Sequence, residues 1–170
     1  MTIPTDPNNA HFDLLYDAHA DWLFRLCLRL CGYCHAEAED LAQEVLVAVF
    51  QSLPRFAGRA RLTTWMYAVA IRTRRKHLSR RPPASVSLST ANGSAAPTTE
   101  LEDRLTRIGV EAALIALPDT LRESFVLVKA EGLTHKEAAH LLGIPMGTVQ
   151  ARVHEAARRL RIALSEEENQ

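Results

Sequence analysis

The feature that most restricts the fold of this chain is an uncharged segment near its middle, Pro82–Thr99, with the sequence PPASVSLSTANGSAAPTT. It is rich in Pro, Ser, Thr, Ala and Gly and has no helical period, which is typical of a flexible linker. On either side of it, a chain of 170 residues leaves room only for small domains. We therefore expect two lobes, over residues 10–81 and 101–165, joined by a linker over residues 82–100.

Both lobes show helical periodicity, and abundant Ala and Leu with only 6% aromatic residues favour helices over a sandwich or barrel. The predicted fold class is all-α: two small helical domains joined by a flexible linker, the C-terminal one containing a helix-turn-helix. In the first lobe we expect helices over Phe12–Cys31 (apolar side Leu15, Trp22, Leu26 and Leu30), over Ala36–Leu53, and from Thr63 or Thr64 as N-cap to Arg80. In the second lobe we expect four helices. The first two cover Leu101–Leu117 and Asp119–Glu131, and the second of these has Leu121, Phe125 and Val128 on one face. The last two helices are separated at Gly143 and Pro145.

The last two helices carry a recognisable pattern, in which Ala139, Gly143 and Val149 have the spacing A-x3-G-x5-V. A small Ala lets two helices approach closely, Gly accepts the left-handed backbone of a tight turn, and Val packs the second helix on the first. Thr134 and Glu137 form the S/T-x-x-E capping box that starts the first of them. This combination is typical of a helix-turn-helix, whose second helix lies in the major groove of DNA.

The second helix of this motif has two distinct faces. At about 100° per residue, the side that should be buried consists of Val149, Val153, Ala156, Leu160 and Ala163. The opposite side and its edges consist of Gly147, Thr148, Gln150, Ala151, Arg152, His154, Glu155, Arg158, Arg159 and Arg161. Side chains of these types read base edges or hold phosphates. A helical hairpin that only packs is the structural alternative.

The charge of the chain is unevenly distributed, although the net charge is zero. Residues 1–54 carry eight acidic and two basic side chains, whereas Arg55–Arg81 contains nine Arg or Lys and no Asp or Glu. A local basic block of this kind is typical of a phosphate-binding surface, with a solvated helix face as the alternative.

Two stretches resemble conserved domains of one protein family, the extracytoplasmic-function (ECF) sigma factors of the sigma-70 family. Residues 38–81, AEDLAQEVLVAVFQSLPRFAGRARLTTWMYAVAIRTRRKHLSRR, resemble the second conserved domain of this family. That domain has a D-L-x-Q-E-x-F-type helix, an F-x-G loop and a T-W-L-Y-x-I-A helix. Residues 117–164, LPDTLRESFVLVKAEGLTHKEAAHLLGIPMGTVQARVHEAARRLRIAL, resemble the fourth conserved domain. That domain has the motifs L-P-x-x-x-R-x-x-F, E-G-L-S-x-x-E-I-A and P-x-G-T-V-x-S-R-L. Both motifs occur in the expected order and at the expected separation.

The resemblance implies that the first lobe docks on RNA polymerase. The helix that docks on the coiled coil of the beta-prime subunit is matched by Asp40, Leu41, Gln43, Glu44 and Val47. A mostly apolar helix with an acidic rim fits an interface. The same helix is also an ordinary amphipathic core helix, because Leu41, Val45 and Val49 must face inward.

The resemblance also implies that Phe56–Leu62 and the residues from Trp65 onward melt and read the −10 promoter element. A melted base needs a pocket or stacking partner, and its backbone needs nearby cations. The candidates are Phe56, Arg59, Arg61, Arg72, Arg75 and Lys76. We expect Trp65 to be a core anchor between helices rather than a stacking surface for a base.

The helix-turn-helix matches the reader of the −35 element, with the candidates Thr148, Gln150, Ala151, Arg152, His154, Glu155 and Arg158. Several positions depart from the family pattern. Gln150 stands where Lys is frequent, Glu155 and Ala157 where Arg is common, Arg72 where Asn is frequent and Lys76 where Asp is frequent. Glu155 would accept a hydrogen bond from a cytosine amine or exclude wrong sites.

The partners implied by the resemblance are core RNA polymerase, through its beta-prime coiled coil and beta flap, then promoter DNA, and an anti-sigma factor. The linker matches the segment that threads through the polymerase near the active site and RNA exit path. We expect no catalytic residue, cofactor or bound metal.

Three cysteines and a histidine form the pattern C-x3-C-x2-C-H, at Cys27, Cys31, Cys34 and His35. Residues i and i+4 on one helix face can bind zinc, and a zinc or redox switch is one interpretation. The interpretation we favour is that Cys27 and Cys31 are small buried side chains beside the leucines of the first helix.

Two other functions are open to a chain of this kind. A stand-alone helix-turn-helix regulator would leave residues 38–81 without a role, and an enzyme would use Asp40 and Glu44 as paired carboxylates. No nucleophile–base motif or phosphate loop accompanies those carboxylates. The chain has no apolar run of about 18 residues and no signal-like start, so we expect no membrane insertion and a cytoplasmic location, where thiols stay reduced.

Overall fold

The computed structural model describes the backbone of residues 7–80 and 110–167, and within these ranges all regular structure is helical. The predicted linker and the greater part of the helix expected over Leu101–Leu117 lie outside the described residues. The chain divides into two compact units, one within Met1–Cys27 and Ala36–Ser85, the other within Leu28–His35 and Val86–Gln170.

The first unit is built on three helices: α1 (Pro7–Leu30), α2 (His35–Ser52) and α3 (Leu62–Ser79), with a 3-10 turn at Leu53–Arg55 after α2. The end of α1 from Leu28, the turn after it and His35 belong to the second unit. The helices bury apolar side chains at intervals of three and four residues, as an amphipathic helix does. Its fully buried side chains include Leu23, Leu26, Leu41, Val45, Val49, Met66 and Ile71, so the inward side predicted for α2 is confirmed. Trp22 of α1 and Tyr67 of α3 meet edge to face with ring centroids 5.0 Å apart.

The N-cap predicted for α3 is wrong by two or three residues. The N-cap is Arg61, in an extended conformation and without a side-chain capping bond, and Thr63 and Thr64 already lie in the first turn. The carbonyl of Arg61 accepts the first helical hydrogen bond, from the Trp65 amide at 3.0 Å. The helix therefore begins where the backbone turns out of the loop, although Arg61 offers no side-chain cap.

The second unit contains a helical stretch over residues 110–115, followed by α4 (Asp119–Phe125), α5 (His135–Leu142) and α6 (Met146–Glu167). Its core cluster consists of Ala113, Leu114, Leu117, Ala156 and Leu160, against which Tyr33, Val110, Leu121, Phe125 and Ala163 pack. The long helix α6 therefore packs, through Ala156 and Leu160, against the helix that ends before Pro118.

The helix predicted over Asp119–Glu131 is not a uniform α-helix. After Phe125 it widens into a π turn, Val126–Ala130, in which the Glu131 amide donates to the Val126 carbonyl at 3.0 Å. The wider turn changes the register, so that Val126 and Leu127 are buried. The apolar face predicted from Leu121, Phe125 and Val128 is therefore only half-buried.

Arg122 explains the L-P-x-x-x-R pattern in structural terms. Its guanidinium is buried and donates to the carbonyls of Leu114 at 3.0 Å and Leu117 at 2.7 Å, and it lies 3.2 Å from the Asp119 carboxylate. The last carbonyls of a helix lack their regular helical donors. Here the Leu114 carbonyl accepts from the Leu117 amide at 3.2 Å, and a side chain from the next helix supplies a further hydrogen bond to it and one to Leu117. Arg122 therefore joins α4 to the preceding helix by charge-assisted hydrogen bonds.

Candidate nucleic-acid interface

The basic block of the first unit presents an exposed face. Arg59 and Arg61 lie on the loop before α3, and Arg72, Arg75 and Lys76 lie on α3 itself, all with exposed side chains. Arg72, Arg75 and Lys76 are three and four residues apart, so they share one side of the helix. Arg72, Arg75 and Lys76 thus form one exposed basic side of α3, which we call the α3 basic face, and Arg59 and Arg61 precede this helix in the loop.

Two aromatic rings lie at the base of this face. Phe56 and Trp65 pack with ring centroids 5.0 Å apart at an interplanar angle of 39°. Both are half-buried, so Trp65 is less enclosed than a core anchor would be. Trp65 stands seven residues before Arg72, about two helical turns along the same line. An aromatic pair on the same side of a helix as a row of cations is suited to bind nucleotide bases and phosphates of one strand.

The predicted docking residues are divided between the surface and the core. Leu41 is fully buried and can only support the helix, whereas Asp40, Gln43 and Val47 form an exposed stripe along α2. Phe50, which is not among the predicted docking residues, continues this stripe and is 40% exposed, while Val47 is 55% exposed. Its position three residues after Val47 was the available signal. We call Asp40, Gln43, Val47 and Phe50 the α2 stripe.

Glu44 lies at the edge of this stripe and has partners on α3. Its carboxylate Oε1 is 3.3 Å from Nη1 of Arg80 and 3.4 Å from Nδ1 of His77. Glu44 therefore links α2 to the C-terminal end of α3.

The helix-turn-helix has the predicted local geometry. The Thr134 hydroxyl accepts from the Glu137 amide at 3.2 Å, and the Glu137 carboxylate accepts from the Thr134 amide at 2.8 Å, which completes the capping box. Gly143 ends α5 in the left-handed region, at φ 64° and ψ 35°. The Pro145 carbonyl then accepts the first bonds of α6, from the Thr148 and Val149 amides.

The two faces predicted for α6 are observed. Val149, Val153, Ala156 and Leu160 are buried, and Ala163 is half-buried against the core cluster. Of the predicted −35 residues, Gln150, Ala151, His154 and Arg158 are exposed, and Thr148, Arg152 and Glu155 are half-buried. One continuous side of the helix is therefore open along these positions.

Glu155 is the centre of an ionic cluster on this open side. Its carboxylate accepts from Arg158 at 2.8 and 2.9 Å and from Nε of Arg159 at 2.7 Å. These hydrogen bonds, first from Arg158 and then from Arg159, lower the pKa of Glu155 to about 2. Spacings of three and four residues were the signal that predicts such pairs on a helix.

The cysteines do not form a metal site in the part of the chain that the structure describes, where no three His, Cys, Asp or Glu side chains converge. Cys27 is fully buried, as expected. Cys31 is only half-buried, contrary to expectation, because α1 ends one residue before it.

No helix within the described ranges is long and apolar enough to cross a membrane.

Comparison with family models gives two matches in one chain. Residues 15–82 match sigma-70 region 2, and residues 107–160 match sigma-70 region 4. The first match contains the α2 stripe and the α3 basic face, and the second contains the helix-turn-helix.

Similar proteins are known in several bacteria. The ECF RNA polymerase sigma factor SigE of Mycolicibacterium smegmatis is 33% identical over 88% of this chain, which spans 60% of that protein's length. The RNA polymerase sigma-H factor of Pseudomonas aeruginosa is 32% identical over 85% of this chain and 81% of its own length.

Solved structures share the fold. The sigma factor RpoE from Bartonella quintana, solved in complex with the anti-sigma factor NepR, has a TM-score of 0.68 and 22% identity, covering 91% of this chain and 97% of that one. CnrH, solved in complex with the cytosolic domain of CnrY, has a TM-score of 0.65 and 22% identity, and the match covers 94% of this chain and 91% of that one.

Proposed function

Since this chain belongs to the sigma-70 family, in its ECF group, we propose that it binds core RNA polymerase and directs it to a specific set of promoters. In this proposal the first unit docks on the polymerase and acts on the −10 element, and the helix-turn-helix reads the −35 element. The protein then works in the cytoplasm by binding to polymerase and DNA, and it catalyses no reaction.

The observation that carries the proposal is the presence of two different surfaces on the first unit, in a chain that also holds a helix-turn-helix. The α2 stripe is an exposed, partly apolar surface with one acidic residue, Asp40, which suits a protein partner. The α3 basic face, with Phe56 and Trp65 at its base, suits single-stranded DNA. A stand-alone regulator needs neither of these surfaces.

The roles of individual residues follow from their chemistry. Asp40, Gln43, Val47 and Phe50 would contact the beta-prime coiled coil, with Leu41 behind them and Glu44 at the edge. Arg59, Arg61, Arg72, Arg75 and Lys76 would hold phosphates of the melted strand, and Phe56 with Trp65 would face its bases. The exposed side of α6 would contact base edges and phosphates of the −35 element.

Reconstitution with core RNA polymerase tests the proposal. The purified protein should co-elute with core enzyme and give run-off transcripts from a genomic promoter library. Val47→Glu on the α2 stripe should weaken the complex, because it places a charge in an apolar contact. Asp17→Lys, at an exposed position of α1, is the control for a charge change elsewhere and should bind normally. Specific promoter binding by the protein without core enzyme would support the stand-alone regulator instead.

Control by an anti-sigma factor is part of the proposal. The RpoE structure contains such a partner, and a protein that covered the α2 stripe would keep this chain from core polymerase. A purified anti-sigma candidate should then compete with core enzyme for wild-type protein. Simultaneous binding of both would contradict control through this surface.

A further inference from the structure

The turn between α1 and α2 contains two cysteines in the order Cys31-Gly32-Tyr33-Cys34. The helix ends in a Schellman motif, in which the Tyr33 amide donates to the Leu28 carbonyl at 2.7 Å and the Gly32 amide to the Arg29 carbonyl at 3.3 Å. Gly32 has φ 60° and Tyr33 has φ 59°, so two consecutive residues are left-handed. Tyr33 is the only non-glycine residue with positive φ in the described ranges.

This backbone brings the ends of the turn together. The Cys34 amide donates to the Cys31 carbonyl at 3.4 Å, which closes a four-residue turn. The Cα atoms at the ends of such a turn lie less than about 7 Å apart, and a disulfide spans about 4.4–6.8 Å. Both cysteines are reduced and half-buried, whereas Cys27, one helical turn earlier, is fully buried.

Tertiary contacts hold the turn in this unusual conformation. Tyr33 packs against the core cluster that contains Ala156 and Leu160 of α6. Gly32 has a left-handed backbone that favours glycine, and a Cβ there would lie 2.9 Å from Nη1 of Arg122, so a larger residue would displace the guanidinium. Since a left-handed tyrosine costs conformational energy, it persists only where its surroundings enforce it, and such positions concentrate at functional sites.

We propose that Cys31 and Cys34 form a redox-active dithiol that hydroperoxides oxidise to an intramolecular disulfide. One thiolate attacks a peroxide oxygen, the O–O bond breaks, and the other oxygen leaves as water or an alcohol after taking up a proton. The second thiol then attacks the sulfenic acid sulfur, the S–S bond forms, and water leaves. The two sulfurs together lose two electrons, which the peroxide gains. Two molecules of a low-molecular-weight thiol then reduce the protein disulfide by exchange and are themselves oxidised to a disulfide.

The disulfide would act on the second unit, in which this turn lies. Closing an S–S bond across the turn changes the side-chain torsions of both cysteines on either side of Tyr33. The Tyr33 ring is half-buried in the cluster that supports α6, so a change in the turn reaches the helix that carries Glu155 and Arg158. This step concerns the packing of the unit and is independent of its proposed role in transcription.

Peptide mass spectrometry separates the possible products, because trypsin cuts after Arg25, Arg29 and Arg55. Cys27 then lies in the peptide Leu26–Arg29, and Cys31 and Cys34 share the peptide Leu30–Arg55. After peroxide treatment and alkylation of the full chain, we expect peptide Leu30–Arg55 to be unalkylated and lighter by two hydrogen atoms, with Cys27 alkylated. A cross-link between the two peptides, over-oxidation without a disulfide, or no reaction would each overturn the proposal.

Variants provide the matched controls. Cys27→Ser should keep the reaction, and Cys31→Ser or Cys34→Ser should abolish it while leaving the far-ultraviolet circular dichroism unchanged. Titration with mixtures of reduced and oxidised glutathione should give one two-electron transition in wild type and in Cys27→Ser. Hydrogen exchange in peptides covering residues 113–117 and 156–160 should be faster in oxidised wild type than in peroxide-treated Cys34→Ser. Equal exchange would overturn the link from the disulfide to the packing of Tyr33.

Discussion

Glu155 and Arg158 form a two-bonded pair on the exposed side of α6, with Nε to Oε2 at 2.8 Å and Nη2 to Oε1 at 2.9 Å. The same carboxylate also accepts from Arg159. Both carboxylate oxygens are therefore occupied within the helix. This arrangement gives Glu155 the further role of positioning two arginines on the exposed side of α6.

Glu155→Gln should change which bases are preferred at the −35 element. The neutral amide cannot hold both guanidinium groups, so Arg158 and Arg159 would reach other base edges or phosphates. A bidentate contact with a base discriminates by about 1–3 kcal/mol, so the ranking of −35 sequences should change by factors of about 5 to 150. The measurement is a promoter library transcribed by wild-type and variant holoenzyme. An even loss of activity on all sequences would assign these side chains to phosphates instead.

The base preference should not depend on pH above the ordinary pKa of a glutamate. The pKa of Glu155 is lowered from 4.5 to about 2 by its two arginine partners. A depressed carboxyl pKa gives a contribution that is fully present above pH 4.5 and is lost only as the pH falls through about 2. Binding of −35 variants by the wild-type protein, measured at several pH values above 4.5, should therefore give one ranking. A reversal of the ranking within that range would show that another group sets the preference.

Arg75→Ala should weaken transcription from many promoters to a similar extent. Arg75 is exposed on the α3 basic face, and a phosphate contact carries no sequence information. Loss of one contact should lower the salt slope of open-complex formation by about one unit. Arg25→Ala is the control, because Arg25 is exposed on α1 beside Asp21 and outside the basic face. A slope that is unchanged in Arg75→Ala but lowered in Arg25→Ala would contradict the assignment.

Asp40→Lys and Glu44→Lys should have different consequences, although both reverse a charge on α2. Asp40 is exposed, so its reversal should weaken binding to core polymerase without changing the melting temperature. Glu44 is paired with Arg80 and His77, so its reversal should also destabilise the first unit, by about 0.2–1 kcal/mol for a surface pair. Thermal unfolding and core-binding titrations distinguish the two. Unchanged core affinity in Asp40→Lys would remove this residue from the interface.

Arg122→Lys should destabilise the second unit nearly as much as Arg122→Met. The guanidinium bonds the carbonyls of Leu114 and Leu117 simultaneously, and an ammonium lacks the planar fork this requires. The Leu114 carbonyl would keep the Leu117 amide as a donor, but the Leu117 carbonyl would lose its bond from Arg122, and a buried acceptor without a donor costs about 1–3 kcal/mol. Urea unfolding followed by circular dichroism measures the loss. Full retention of stability in the lysine variant would show that charge alone, rather than the fork, is sufficient.

The sequence by itself determined the elements whose signals are local. The capping box at Thr134, the left-handed Gly143 and the buried side of α6 all follow from residues within a few positions of each other, and all three are observed. Helical period and caps act through neighbouring backbone groups, so they can be identified without knowing the fold. The α3 basic face was predictable for the same reason.

Tertiary structure decided the features that depend on residues far apart in the chain. Glu44 is paired with Arg80 across two helices, and Arg122 is buried because a preceding helix leaves carbonyls to be satisfied. The exposure of Phe50 and the left-handed Tyr33 likewise depend on what packs beside them. The energy of such contacts depends on burial and on the position of the partner, neither of which is encoded by spacing along the chain. Local pattern thus determined which helices form, whereas packing decided which of their side chains are left at the surface to bind.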